Sequence, residues 1–206
     1  MNGPTYIAVA GNIGCGKSTL VDFVCRQYKV EPFFEPNAAN PYIVDFYADM
    51  KKWAFHSQIY FLTHKFRIHQ ELERRRIEKT VVQDRTIYED AEIFATNLFR
   101  RKLIHKRDWG VYQDLYQTIV SALRPPDLMI YLKATVRTIR KRIKLRGRPE
   151  EQKIPVTYLR NLNELYEQWF ASYKASPAIV LETDNLDYLT DLVHRIDVLK
   201  TIEKYL

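Results

Sequence analysis

Cysteine, glycine and long apolar runs are all scarce in this sequence, and each scarcity removes a class of protein. Two cysteines, Cys15 and Cys25, cannot staple a small secreted domain; both read as reduced thiols of a cytoplasmic protein. No apolar run approaches the length that crosses a bilayer, so no membrane association is expected. The N-terminal "MNGPTYIAVAG" lacks a basic region followed by an apolar core, so no signal peptide is expected. There is no internal repeat, low-complexity tract or linker. Residues 1–206 therefore read as a single domain, large enough for a sizeable core. With 46% hydrophobic and 28% charged residues, the composition is that of an ordinary globular chain.

What is present is an alternation of two patterns. "TYIAVAG" is a short apolar run ending in glycine, the mark of a buried strand. "KSTLVDFVCRQY" has helical periodicity, with Leu20, Phe23 and Val24 facing inward. "VEPFFEPN" is a short extended piece punctuated by prolines. From Lys51 to about Glu78 no Gly or Pro intervenes, and Phe55, Ile59, Leu62 and Phe66 recur at the spacing of one long amphipathic helix. "KTVVQDR" is a second buried strand. Helices follow over about Glu89–Arg101 and Trp109–Leu123. "RPPDLMIYLKA" and "SPAIVLET" are further strands, with helices between them and after the last. Strands alternating with helices predict an α/β fold, a parallel sheet with helices on both faces and right-handed crossovers.

The first strand runs into Gly11-Asn12-Ile13-Gly14-Cys15-Gly16-Lys17-Ser18, which matches G-x-x-x-x-G-K-[ST]. Glycines let backbone N–H groups turn inward around phosphate oxygens. Lys17 then reaches the β- and γ-phosphates, the Ser18 hydroxyl is a magnesium ligand, and the helix that follows points its positive end at the anion. Asp84 ends the second buried strand, at the edge where open α/β sheets bind ligands, and is the candidate second metal ligand. Farther on, Arg142 and Arg146 lie one helical turn apart, Gly147 breaks the helix, and Arg148 continues from a turn. Three guanidiniums on such a segment suit a lid that closes over a triphosphate and neutralises charge on the transferred group. The net charge of +7 admits nucleic-acid binding, but these clustered arginines serve a polyphosphate, and no nucleic-acid partner is expected.

An acceptor hydroxyl needs a base, and Glu35 stands just after a short strand. Arg85 follows Asp84. On the long helix Ala54, Gln58, Phe61 and Lys65 share a face, and Asp90 and Phe94 share another. The Gln58 amide offers a carbonyl and an NH2, the bidentate partner of a purine or cytosine edge.

These residues resemble the deoxynucleoside kinase family, and within it the bacterial deoxyadenosine/deoxyguanosine kinases. The resemblance runs in order through "GNIGCGKST", "FFEPNAANPYIVDFY", "KKWAFHSQIYFL", "DRTIYEDAEIFA" and "KRIKLRGRPEEQKIP". It implies a P-loop kinase fold with a central parallel five-stranded sheet flanked by helices, an arginine-rich lid over about 146–154, and a homodimer joined through helices. It implies Glu35 as the base for the sugar 5′-hydroxyl, with Arg85 beside it. Tyr47 and Glu151 then bind the 3′-hydroxyl, Gln58 and Asp90 read the base, and Trp53, Phe55 and Phe94 wall the pocket. Arg142, Arg146 and Arg148 are the lid arginines. Gly11 to Thr19 bind ATP, with Asp187 and Tyr188 at its adenine. Lys65 stands where some relatives carry an arginine that pairs with the position of Asp90, and Asp84 where several have Glu.

The expectation is an ATP- and Mg2+-dependent kinase of nucleotide salvage acting on deoxyadenosine, then deoxyguanosine and deoxycytidine. A thymidylate-like nucleoside-monophosphate kinase would need cations to hold its acceptor phosphate, whereas this acceptor region offers mainly Glu35, Tyr47, Gln58 and Asp90. A nucleic-acid-binding regulatory ATPase would show steeply salt-dependent binding.

Overall fold

Strand β1 (Tyr6–Ala10) is buried at every residue, as a central strand covered on both faces must be. It pairs in parallel with β3 (Val81–Asp84) on one side and β4 (Leu128–Lys133) on the other. Strand β2 (Glu31–Phe33) lies outside β3, and β5 (Ala178–Glu182) outside β4. The result is the expected five-stranded parallel sheet, in the order β2-β3-β1-β4-β5. The structure, a computed structural model, describes residues 5–34, 40–186 and 191–204.

Alternation along the strands sends side chains to two layers of helices. Ile7 and Val9 of β1, Val82 of β3 and Ile130 of β4 belong to the larger core cluster. That cluster also takes in Leu20 and Val24 of α1 (Lys17–Tyr28) and Ile139 and Ile143 of α7 (Val136–Arg146). Tyr158, Leu162 and Tyr166 of α8 (Val156–Ser172) and Val198 and Ile202 of α9 (Leu192–Glu203) complete it. Tyr6, Ala8, Val81 and Met129 form a second cluster with Leu72 of α3 (Met50–Arg75). Each fully buried aliphatic side chain contributes roughly 1.5–3 kcal/mol of transfer free energy.

Several element ends differ from the sequence expectation. Helix α3 starts at Met50 because the Asp49 side chain accepts the Lys52 amide at 3.1 Å. Helix α6 (Lys106–Ser121) starts three residues before the expected Trp109, capped by His105 Nδ1 on the Arg107 amide at 3.3 Å. Helix α2 (Ile43–Ala48) is too short to show a period and was not expected. The expected helix over Glu89–Arg101 is three pieces: α4 (Ile87–Glu89), a π turn at Asp90–Ala95, and α5 (Thr96–Arg100). The wide turn closes on the Ala91 carbonyl, which accepts from both the Thr96 amide and, at 2.9 Å, the Thr96 hydroxyl. No helix among the described residues is long and apolar enough to cross a membrane.

Two glycines with opposite surroundings test this packing. Gly11 has φ 146°, and a Cβ there would lie 2.6 Å from Cys15 Sγ and 2.7 Å from the Leu132 carbonyl oxygen. Gly110, inside α6, has nothing within 4 Å of the same position. Gly11→Ala is expected to lower unfolding stability by about 2–4 kcal/mol. Gly110→Ala is expected to raise it by about 0.5–1 kcal/mol. Urea unfolding of both variants measures the pair.

Candidate active site

A cleft of about 240 Å³ opens at the carboxyl edge of the sheet. Its floor is the glycine loop, where Gly11, Gly14 and Gly16 all take positive φ, at 146°, 78° and 107°. Asn12 braces the loop from behind: its Nδ2 donates to the Leu159 carbonyl at 3.0 Å and to Asn163 Oδ1, and its Oδ1 accepts the Ile13 amide at 2.7 Å. Ile13, Gly14, Lys17 and Ser18 line the cleft. Gly11, Asn12, Cys15 and Gly16 shape the loop from below, and Thr19 is exposed on the first turn of α1. Lys17 is buried, and its Nζ donates to the carbonyls of Gly11 at 2.9 Å and Asn12 at 3.1 Å. Burial pushes the Cys15 thiol pKa up, against the pull of Lys17 and Arg85.

The donor set fits magnesium. Ser18 Oγ donates to Asp84 Oδ2, and Asp84 Oδ1 is buried with no hydrogen-bond partner among the described residues. Hydroxyl and carboxylate stand together at the loop, and magnesium takes such oxygens alongside substrate phosphates rather than an all-protein cage. No cluster of three or more His, Cys, Asp or Glu ligands exists among the described residues.

At the end of β3 the chain turns through Arg85 in the left-handed region, at φ 59°. Arg85 Nη2 donates to the Gly11 carbonyl at 3.2 Å, and its guanidinium carbon lies 4.6 Å from the centre of the Phe94 ring. Lys65 does not reach the cleft wall. It is wholly buried, and its Nζ donates to the carbonyls of Asp84 at 3.2 Å and Arg85 at 2.6 Å. An ammonium is a compact multiple donor, and here it supports the strained turn that presents Arg85.

Gln58, Phe61, Asp90, Phe94 and Tyr47 gather along the same cleft. Gln58 is buried, and its Oε1 has no partner among the described residues. Trp53 and Phe55 are not among the lining residues. On α3 only Gln58 and Phe61 line the cleft, and the buried stripe runs through Ala54, Ser57, Gln58, Leu62 and Lys65, which leaves Trp53 and Phe55 on its flanks. Trp53 packs on Tyr42 with ring centres 5.6 Å apart, and Phe55 lies in an outer groove with Ile59 and Tyr60. Phe34, Phe46 and Tyr158 complete the apolar wall. Burial pushes the Tyr158 hydroxyl up to about 12. Tyr158 escaped the sequence reading because an aromatic at helical spacing carries no mark of facing a ligand. Glu35 lies outside the described residues.

The lid arginines divide into two kinds. Arg146 and Arg148 line the cleft, and both pair with Glu151, the latter at 3.2 Å. Glu151 is itself buried and lines the cleft. Arg142 is not a lining residue. Its Nη1 donates to the Cys15 carbonyl at 2.7 Å and to Thr183 Oγ1 at 2.9 Å, while Nη2 donates to the Thr183 carbonyl. One turn before Arg146, it fastens α7 to the glycine loop and the end of β5 rather than facing the cleft. Asp187 and Tyr188 lie outside the described residues.

The deoxynucleoside kinase family model matches residues 7–206. Among curated proteins, the chain is 35% identical to the deoxyadenosine/deoxycytidine kinase of Bacillus subtilis, over 91% of this chain and 86% of that one. It is 34% identical to the deoxyguanosine kinase of Lactobacillus acidophilus, over 96% and 89% respectively. The solved structure of deoxyadenosine kinase from M. mycoides with bound dATP superposes with a TM-score of 0.82 at 30% identity, covering 97% of this chain and 99% of that one. A phosphate loop facing a nucleobase-sized cleft, and likeness along nearly the whole chain, lead to one conclusion: this chain belongs to the deoxynucleoside kinase family and is a phosphotransferase with the P-loop kinase fold.

Proposed function

We propose that the protein transfers the γ-phosphoryl group of ATP to the 5′-hydroxyl of a deoxynucleoside, with deoxyadenosine preferred and deoxyguanosine and deoxycytidine next. The observation that carries this reading is the buried Gln58 carbonyl without a partner, beside Asp90 in a cleft whose other end is the phosphate loop. An unsatisfied buried acceptor costs roughly 1–3 kcal/mol, which a base amine recovers on binding. Adenine and cytosine carry such an amine, and guanine offers its N1–H and 2-amino donors on the same edge.

In this reading Lys17 and the loop amides hold the β- and γ-phosphates, and Arg146 and Arg148 close on them. Glu35 takes the 5′-hydroxyl proton, Arg85 steadies that carboxylate and the 5′-oxygen, and Tyr47 and Glu151 bind the 3′-hydroxyl. Phe94 stacks the base. Ser18 and Asp84 hold magnesium, which when bound neutralises phosphate charge. Arg142 acts through the loop it fastens. The outer groove between Tyr42 and α3 (Phe55, Ile59 and Tyr60) supports a homodimer joined through helices. Two free cysteines among the described residues accord with a cytoplasmic protein. A monophosphate acceptor is disfavoured because Glu35, the carboxylate this reading places at the acceptor oxygen, suits a neutral hydroxyl and repels a phosphate.

The deciding experiment is an acceptor panel: pure protein with ATP, magnesium and each of the four deoxynucleosides, read as monophosphate formed. Product is expected most rapidly with deoxyadenosine, and none from any acceptor overturns the reading. Glu35→Gln is expected to lower kcat by ~10²–10⁴-fold. A rise in KM with kcat intact would contradict a general base. Gln58→Ala is expected to raise KM for the nucleoside roughly tenfold while KM for ATP changes by less than about twofold. Equal changes in both would make Gln58 a packing residue.

A further inference from the structure

Glu89 has no part in the roles above, yet it is wholly buried and its two oxygens accept four hydrogen bonds. Oε2 takes the Thr86 amide at 2.8 Å and the Thr86 hydroxyl at 3.2 Å. These are explained by the capping box that starts α4. Oε1 does something the cap does not require. It takes the Gly11 amide at 3.1 Å, across 78 residues, and the Tyr166 hydroxyl from α8 at 2.9 Å. Arg85 Nε lies 3.9 Å from the same oxygen.

Gly11 is where the phosphate loop leaves β1. Its N–H is held by Glu89, while its carbonyl accepts from Lys17 at 2.9 Å and from Arg85 at 3.2 Å. One residue is thus gripped at its amide by an anion and at its carbonyl by two cations. One of those cations belongs to the donor loop and the other to the acceptor side of the cleft. Burial raises the Glu89 pKa, while Arg85, Lys17 and the two amides pull it back. Every one of its partners is a donor, so the ionised carboxylate satisfies all of them, whereas an amide would turn an NH2 toward donors. A general helix cap would not need Gly11, and a general buried ion pair would not need Thr86.

We propose that Glu89 is a positioning residue for phosphoryl transfer: it locks the first peptide of the phosphate loop to Arg85 and so fixes the donor phosphates relative to the acceptor hydroxyl. The proposal rests on the kinase reading above. Its action is on alignment, so it moves turnover more than affinity. A misplacement of about 1 Å between reacting groups costs ~10²-fold in rate.

The test is steady-state kinetics on three variants, corrected for folded fraction and run beside the wild type with ATP, magnesium and deoxyadenosine. Glu89→Gln keeps the shape and loses the charge. It is expected to lower kcat by ~10–100-fold with both KM values within about threefold. Glu89→Asp keeps the charge but is one methylene too short to span Thr86 and Gly11, and is not expected to rescue kcat. Tyr166→Phe removes one of the four hydrogen bonds. It keeps the proposal testable if Glu89→Gln does not fold, with an expected kcat loss of roughly 3–10-fold at unchanged KM. Wild-type kcat in Glu89→Gln, full rescue by Glu89→Asp, or wild-type kcat in Tyr166→Phe overturns the proposal. No monophosphate from the wild-type protein with any deoxynucleoside overturns the kinase reading, and the proposal with it.

Discussion

The hydrogen bond from the Arg85 amide to the Val9 carbonyl, at 3.0 Å, sets the distance across the cleft. It extends the parallel pairing in which Val9 stands opposite Asp84, so that β1 and β3 end at the same level. One strand then delivers the phosphate loop and the other delivers Asp84 and Arg85, side by side. A slip of one residue would turn Asp84 to the opposite face of the sheet, away from Ser18. The register is guarded from the other end of β1. There the Tyr6 amide donates to Asp127 Oδ2 at 2.7 Å, and Tyr6 Oη reaches across to Gln83 Oε1 on β3.

That arrangement forces charge into the interior. Lys17, Lys65, Asp84, Arg85, Glu89, Asp90 and Glu151 are all buried, three cations with four anions, and Glu151 pairs with the half-buried Arg146. Isolated ions would not survive there, because their desolvation costs several kcal/mol each and is offset only by close partners and further hydrogen bonds. The structure meets this by placing opposite charges on the same few backbone groups. Lys65 neutralises the carbonyls that precede and follow the Arg85 amide, and thereby stabilises a left-handed arginine that costs of order 1–3 kcal/mol.

How much of this was legible in the sequence depended on whether the signal was local. The glycine loop, the strand-ending Asp84 and the helical stripe of Gln58 and Phe61 are short-range patterns with a fixed geometry, and the fold follows from them almost directly. Spacing predicts Arg142 and Lys65 as cleft residues, and both instead hold backbone carbonyls. Spacing on a helix gives the azimuth of a side chain, but a long flexible cation ends wherever its best acceptors lie. The π turn was invisible because Asp90 and Phe94, four residues apart, share a face in either helix type. Only the neighbours shift, by about one residue. Glu89 had a local signal, the Thr86-x-x-Glu89 capping pattern, which predicts its contact with Thr86. Its contact with Gly11 is tertiary, and no local pattern in the sequence reports it.

The turn that follows α7 is built around the phosphate loop by contacts from both of its ends. Helix α7 ends at Gly147, in the left-handed conformation at φ 73°, which lets the chain fold back over the cleft. The turn is tied to its helix by Gln152 Nε2, which donates to the Ile143 carbonyl at 2.9 Å. Within it, Arg146 and Arg148 share a single buried counterion, Glu151. Glu150 of the same turn also lines the cleft, so the two guanidiniums are matched there by two carboxylates. Arg142 couples the two parts mechanically, because the helix that carries the lid is hydrogen-bonded to the Cys15 carbonyl inside the phosphate loop itself.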